Sequence, residues 1–229
     1  MNVRRLILTS VLTFAVIAQA EDKAYVLKGP DHLVPVNPYP GGWHVRYTDL
    51  LRSRLKLDSP FLAKMVVKPS FSGEYAVRLL ESKDKNPLDT SNQFFLTYSA
   101  ASKNIWYSMP ENNDKKQQQK VSVATTTVEI PEALAVRIQQ LWKRMLFQTR
   151  YFETNAAIAD GVTYEFGIWY HYGEAHSPQE RKSPLLFIEL GESLITYCKA
   201  APAERPAAAK EIENKAAQLE KYLKKHPSK

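Results

Sequence analysis

The chain has 229 residues, 44% hydrophobic and 24% charged, with a formal net charge of +7; this is globular composition, and it excludes disorder. A mean hydropathy of −0.38 and a single long apolar run exclude a multi-span membrane protein. Eight glycines exclude a collagen-like architecture, and one cysteine excludes both an internal disulfide framework and a cysteine-cluster metal site.

Residues 1–20 have the three parts of a secretory signal. Arg4 and Arg5 are the basic start, Leu6 to Ala18 the apolar core, and Ala18-Gln19-Ala20 the small-x-small site before Glu21-Asp22-Lys23. Thirteen helical residues span roughly 20 Å, too short for a hydrocarbon layer of about 30 Å. Cleavage after Ala20 is therefore expected, with no span left in the mature chain. An unpaired Cys198 and the lack of an Asn-x-Ser/Thr acceptor fit a periplasmic or extracellular bacterial setting. Loss of Arg4 and Arg5 leaves +5, of which residues 202–229 hold +3. The body is too weakly basic for a nucleic-acid footprint, so no nucleic-acid partner is expected.

Residues 28–44 hold four prolines and three glycines and read as an extended arm; the arm as a whole is set at 21–46. Thr48 then fits an N-cap for a short helix carrying Leu50, Leu51 and Leu55. Beyond Pro60 the period becomes two, with Phe61, Ala63, Met65 and Val67 on one face of a strand. Strands are also expected from Tyr75, at 94–98, at 104–107 and at 121–130, with a polar connection at 83–92 and a hairpin tip at 111–120. Pro131 starts an amphipathic helix on Leu134, Ile138, Leu141, Trp142 and Met145. Asp160-Gly161 marks a turn into a strand running from Val162 through Tyr172, and Ser183-Pro184 opens a second long helix.

The domain is thus expected at 47–200, followed by an Ala/Lys/Glu-rich helix at 201–229. In that tail only Ile212, Leu219, Tyr222 and Leu223 are large apolar groups. The expectation is an exposed or lightly docked helix whose removal costs no more than about 1–2 kcal/mol. Clustered strands with short joins imply an α+β fold, an antiparallel sheet of about six strands with helices packed on one face.

Catalytic signatures are sparse. No glycine-rich phosphate loop and no G-x-S-x-G elbow occurs, and the S-x-x-K matches at Ser53 and Ser82 have no K-T-G partner. One cluster stands out, at 160–178. Read as one strand, it puts Glu165, Trp169 and His171 on a common face, with Glu174 and His176 beyond. An imidazole beside a carboxylate suits acid–base work. A metal set of His171, Glu174 and His176 fails on strand parity, so no metal and no cofactor are expected. Trp106 and Trp169 are the aromatic binding candidates, suited to a sugar, a peptide or a partner protein. The expected function is an exported, non-catalytic binding protein, its partner an envelope protein or a glycan. The alternative is a small envelope hydrolase working through Glu165, His171, Glu174 or His176.

Overall fold

A computed structural model describes residues 30–36, 42–82, 93–109, 120–151 and 161–227. The secretory segment, the connection at 83–92, most of the expected tip at 111–120 and Asp160 lie outside the described residues. Helix α1 (Gly42–Leu55) precedes strands β1 (Ala63–Pro69), β2 (Tyr75–Glu81) and β3 (Phe94–Ala101). A 3₁₀ turn (Trp106–Ser108), β4 (Val123–Ile130), α2 (Glu132–Leu146), β5 (Val162–Ile168) and β6 (His171–His176) follow. Helices α3 (Ser183–Lys199) and α4 (Arg205–Lys225) complete the order. The six strands form one antiparallel sheet, ordered β4-β3-β2-β1-β5-β6. This is the expected α+β architecture.

Period two sorts the strand residues between two unlike faces. Met65, Val67, Val77, Leu79, Leu96, Phe166 and Ile168 point toward α2 and α3 and form the main core. Trp142 of α2 sits fully buried at its centre, 4.4 Å from the Phe187 ring and 6.1 Å from Phe166. Its indole N–H donates to the Lys64 carbonyl at 3.1 Å, so the buried donor is satisfied. Gly191 lets α3 lie close to β1, because a Cβ there would meet the Met65 sulfur at 2.3 Å.

Helix α3 is apolar almost all round because it lies between the sheet and α4. Here the structure corrects the expectation of a lightly docked tail. Ile212, Ala216, Leu219 and Leu223 are all buried and belong to the main core. Arg137 of α2 donates twice to Glu220, at 2.8 and 2.7 Å, and Lys215 reaches Glu189 at 3.0 Å. Counting large apolar side chains understated the tail, because Ile212, Leu219 and Leu223 fall with Ala216 on one stripe, and that stripe is enough to close a helical layer.

The reverse face carries a smaller core, in which Leu51, Leu55 and Leu57 meet Val66, Ala76, Ile105 and Val121. Helix α1 thus covers part of the face opposite α2 and α3. It starts at Gly42 rather than at Thr48, two residues past Pro40, the last proline of the arm. Thr48 is not the cap; its hydroxyl donates to the His44 carbonyl one turn back, at 2.9 Å.

Two strand readings also change. Residues 104–107 are not a strand but lead into the 3₁₀ turn. The strand expected from Val162 through Tyr172 is two, reversed at Trp169-Tyr170. The apolar alternation runs straight across that reversal, and neither turn residue is one that usually marks a hairpin.

Candidate functional site

On the reverse face a cleft of about 1020 Å³ opens between α1 and the hairpin of β5 and β6, with β1 as its floor. Antiparallel register builds the polar wall. Glu165 stands opposite Glu174, Thr163 opposite His176, and Gly167 opposite Tyr172. On the other side of β5, Lys68 pairs with Thr163 and Lys64 with Gly167. Gly167 leaves room for the Tyr172 ring, whose carbon a Cβ there would meet at 2.9 Å. The Lys64 ammonium lies 4.9 Å from the centres of both the Tyr172 and Phe61 rings.

The two carboxyls of this wall differ. Lys68 Nζ lies 2.9 Å from one Glu165 oxygen and Lys64 Nζ 3.8 Å from the other. Burial raises the Glu165 carboxyl, but the two ammonium groups outweigh it and hold Glu165 below the usual range. Lys64 is only 2% exposed, and burial lowers its ammonium against the pull of Glu165. Glu174 goes the other way. Burial pushes its carboxyl up and the Glu165 charge adds to that, while Lys68 and His176 oppose it. The Glu174 side chain makes no hydrogen bond or ion pair among the described residues; only its backbone is bridged, to Val34 of the arm. The His176 ring nitrogen Nδ1 lies 2.9 Å from the Thr163 hydroxyl.

The opposite wall is aromatic. Tyr47 of α1 meets Trp106 edge-on at 5.1 Å, His44 lies 5.7 Å from the same indole, and Tyr107 is half exposed beside it. Glu74, wholly buried, fixes this wall. Its carboxylate accepts from the Tyr47 hydroxyl at 2.9 Å, the Ile105 amide at 2.6 Å and the Trp106 amide at 3.3 Å. Asn104 adds a second clamp. Its amide donates to the Pro69 and Ser72 carbonyls, and its oxygen accepts from the Tyr107 N–H at 3.2 Å.

Of the residues singled out in the sequence, the fold brings Glu165, Glu174, His176 and Trp106 to one cleft. It does not bring His171 or Trp169. His171 pairs with Ile168 across the turn, faces the helical side and lies 4.6 Å from Phe147. Trp169 is in the turn itself. The common face expected for Glu165, Trp169 and His171 is therefore lost, because the chain reverses between them. No group of three metal-ligating side chains occurs among the described residues. Cys198 is buried away from the cleft, its thiol pushed up to about 12 by desolvation.

Glu74, Lys64, Lys68, Tyr47 and Tyr172 carry the site without having been picked out in the sequence. The only local trace of Glu74 is its neighbour Gly73, where a Cβ would lie 2.1 Å from the Ala101 carbonyl oxygen.

The fold and site together define an α+β domain with one wall of its cleft aromatic and the other acidic and basic. Comparison with protein-family models, curated proteins and solved structures finds no match to this chain.

Proposed function

We propose that the protein is an exported, non-catalytic binding module whose cleft receives a glycan segment. The observation that carries this reading is the pairing across the cleft of an aromatic wall, Trp106 and Tyr107, with the Glu174 carboxyl, which makes no hydrogen bond or ion pair among the described residues. Sugar rings present apolar faces for stacking and hydroxyls as donors, and these two walls answer both. Export rests on the secretory pattern of residues 1–20, which puts the mature domain in reach of envelope glycans.

A hydrolase is the second reading, favoured by one observation: two opposed carboxyls held apart in acidity, the pattern of an acid and a base. Against it, Glu165 is already bound by Lys68 and Lys64, and His176 is engaged with Thr163. Binding needs only Glu174 to be available. Catalysis needs a second reactive group that this wall has committed elsewhere.

The test is a fluorescence titration of the mature protein with soluble cell-wall oligosaccharides. Trp106→Ala and Glu174→Gln are expected to weaken binding about tenfold or more, the loss of roughly one anchoring contact. Glu174→Gln is expected to unfold no earlier than wild type at neutral pH. A carboxyl raised by folding contributes stability below its ordinary pKa and loses it as pH rises, so the neutral amide removes a cost. No oligosaccharide binding, or binding untouched by both substitutions, contradicts the glycan reading. Release of cleaved sugar during the titration moves the assignment to the hydrolase.

A further inference from the structure

At the turn end of the β5–β6 hairpin, a second surface is built from aromatic and basic groups. Trp169 is 48% exposed, Tyr170 95% and Phe147 of the α2 terminus 53%. The Lys143 ammonium lies 5.6 Å from the Trp169 ring and 5.8 Å from Phe147, which in turn packs on His171. Trp169 has a φ of +50°, a region that costs any residue with a Cβ and a bulky aromatic most of all. A two-residue hairpin turn ordinarily takes glycine, asparagine or aspartate. This chain places tryptophan and tyrosine there instead, against local stability and in contact with solvent.

Among the described residues, the charged group set against the tip rings is the Lys143 ammonium. Arg144 donates to the Leu223 carbonyl at 3.0 Å, which draws the last turn of α4, with exposed Lys224 and Lys225, beside the end of α2. Among the described residues, Asp31 is engaged by Arg150 and His32, and Glu220 by Arg137. The tip is a turn on the edge hairpin of the sheet, so it projects rather than encloses. Tryptophan and tyrosine favour the headgroup layer of a bilayer, and lysine and arginine favour anionic lipid there.

We propose that the Trp169-Tyr170 tip, with Phe147 and Lys143, docks the protein on an anionic lipid surface. The docking is peripheral; no helix among the described residues is long and apolar enough to cross a membrane. The inference stands independently of the cleft, since none of these four residues lines it.

The experiment is co-sedimentation of the mature protein with vesicles of phosphatidylcholine alone and of phosphatidylcholine with phosphatidylglycerol. Retention is expected on the anionic vesicles, falling with added salt. The double variant W169G/Y170S is expected to lose about tenfold or more of that retention, as removal of two interfacial aromatics requires. Because glycine suits the backbone at 169, its melting temperature is expected to be at least that of wild type, which separates docking from folding. Lys143→Ser is expected to weaken retention in the same direction. No retention on anionic vesicles, equal retention on neutral ones, or full retention by the double variant overturns the proposal, and the first of these leaves a protein partner as the occupant of the tip.

Discussion

Ending the chain at Ala201 is expected to abolish cooperative unfolding. Ile212, Leu219 and Leu223 are at most 2% exposed. Each contributes about 1.5–3 kcal/mol on burial, on the order of 5–9 kcal/mol together. That is comparable with the whole stability of a typical domain, about 5–15 kcal/mol. The truncation also strips cover from the outer side of α3 and leaves Arg137 without Glu220. Urea unfolding followed by circular dichroism checks this. Leu219→Ala alone is expected to cost about 2–5 kcal/mol, with the transition still cooperative. A truncated protein that unfolds cooperatively within about 1–2 kcal/mol of wild type would mean that α4 lies on the domain without belonging to its core.

Glu74→Ala is expected to cost about 3–5 kcal/mol and to disable the cleft in whatever protein still folds. The substitution leaves the Ile105 and Trp106 amides and the Tyr47 hydroxyl without their acceptor. A donor left unsatisfied in a buried place costs about 1–3 kcal/mol. The same three bonds tie α1 to the 3₁₀ turn, so their loss releases both halves of the aromatic wall. Near-ultraviolet circular dichroism is expected to show an altered Trp106 environment. Glu74→Gln keeps one acceptor oxygen in place and is expected to lose less in both stability and binding. A Glu74→Ala protein of wild-type stability with an unchanged near-ultraviolet spectrum would contradict this role.

The fold class follows from patterns that are local and strong. Pro131 and the three-and-four spacing from Leu134 to Met145 define α2, and the period-two run from Ala63 to Val67 defines β1. Features that depend on partners distant in sequence are less visible. Lys64 and Lys68 alternate with apolar residues and read as the wet side of a strand, yet Lys64 is buried against Glu165, a hundred residues on. Glu74 looks like an ordinary charged residue after a turn, because its acceptor role depends on Tyr47 and on two amides about thirty residues away. The reversal at Trp169-Tyr170 carries no turn chemistry at all, and it alone removes His171 and Trp169 from the face of Glu165. Glu174 and His176 still reach the cleft because reversing the strand brings them back beside Glu165 and Thr163.

Whether the cleft is the ligand site is tested most directly by mapping amide and indole chemical shifts of the mature protein during titration with a cell-wall oligosaccharide. Changes are predicted at the Trp106 indole and along the 3₁₀ turn, at Tyr47 and His44 of α1, and at Glu165, Tyr172, Glu174 and His176 on β5 and β6. The helical side, including Leu190 and Leu219, is predicted to stay unmoved. Saturable changes that gather instead around Trp169 and Phe147, or a titration that moves no resonance in the cleft, would contradict the assignment.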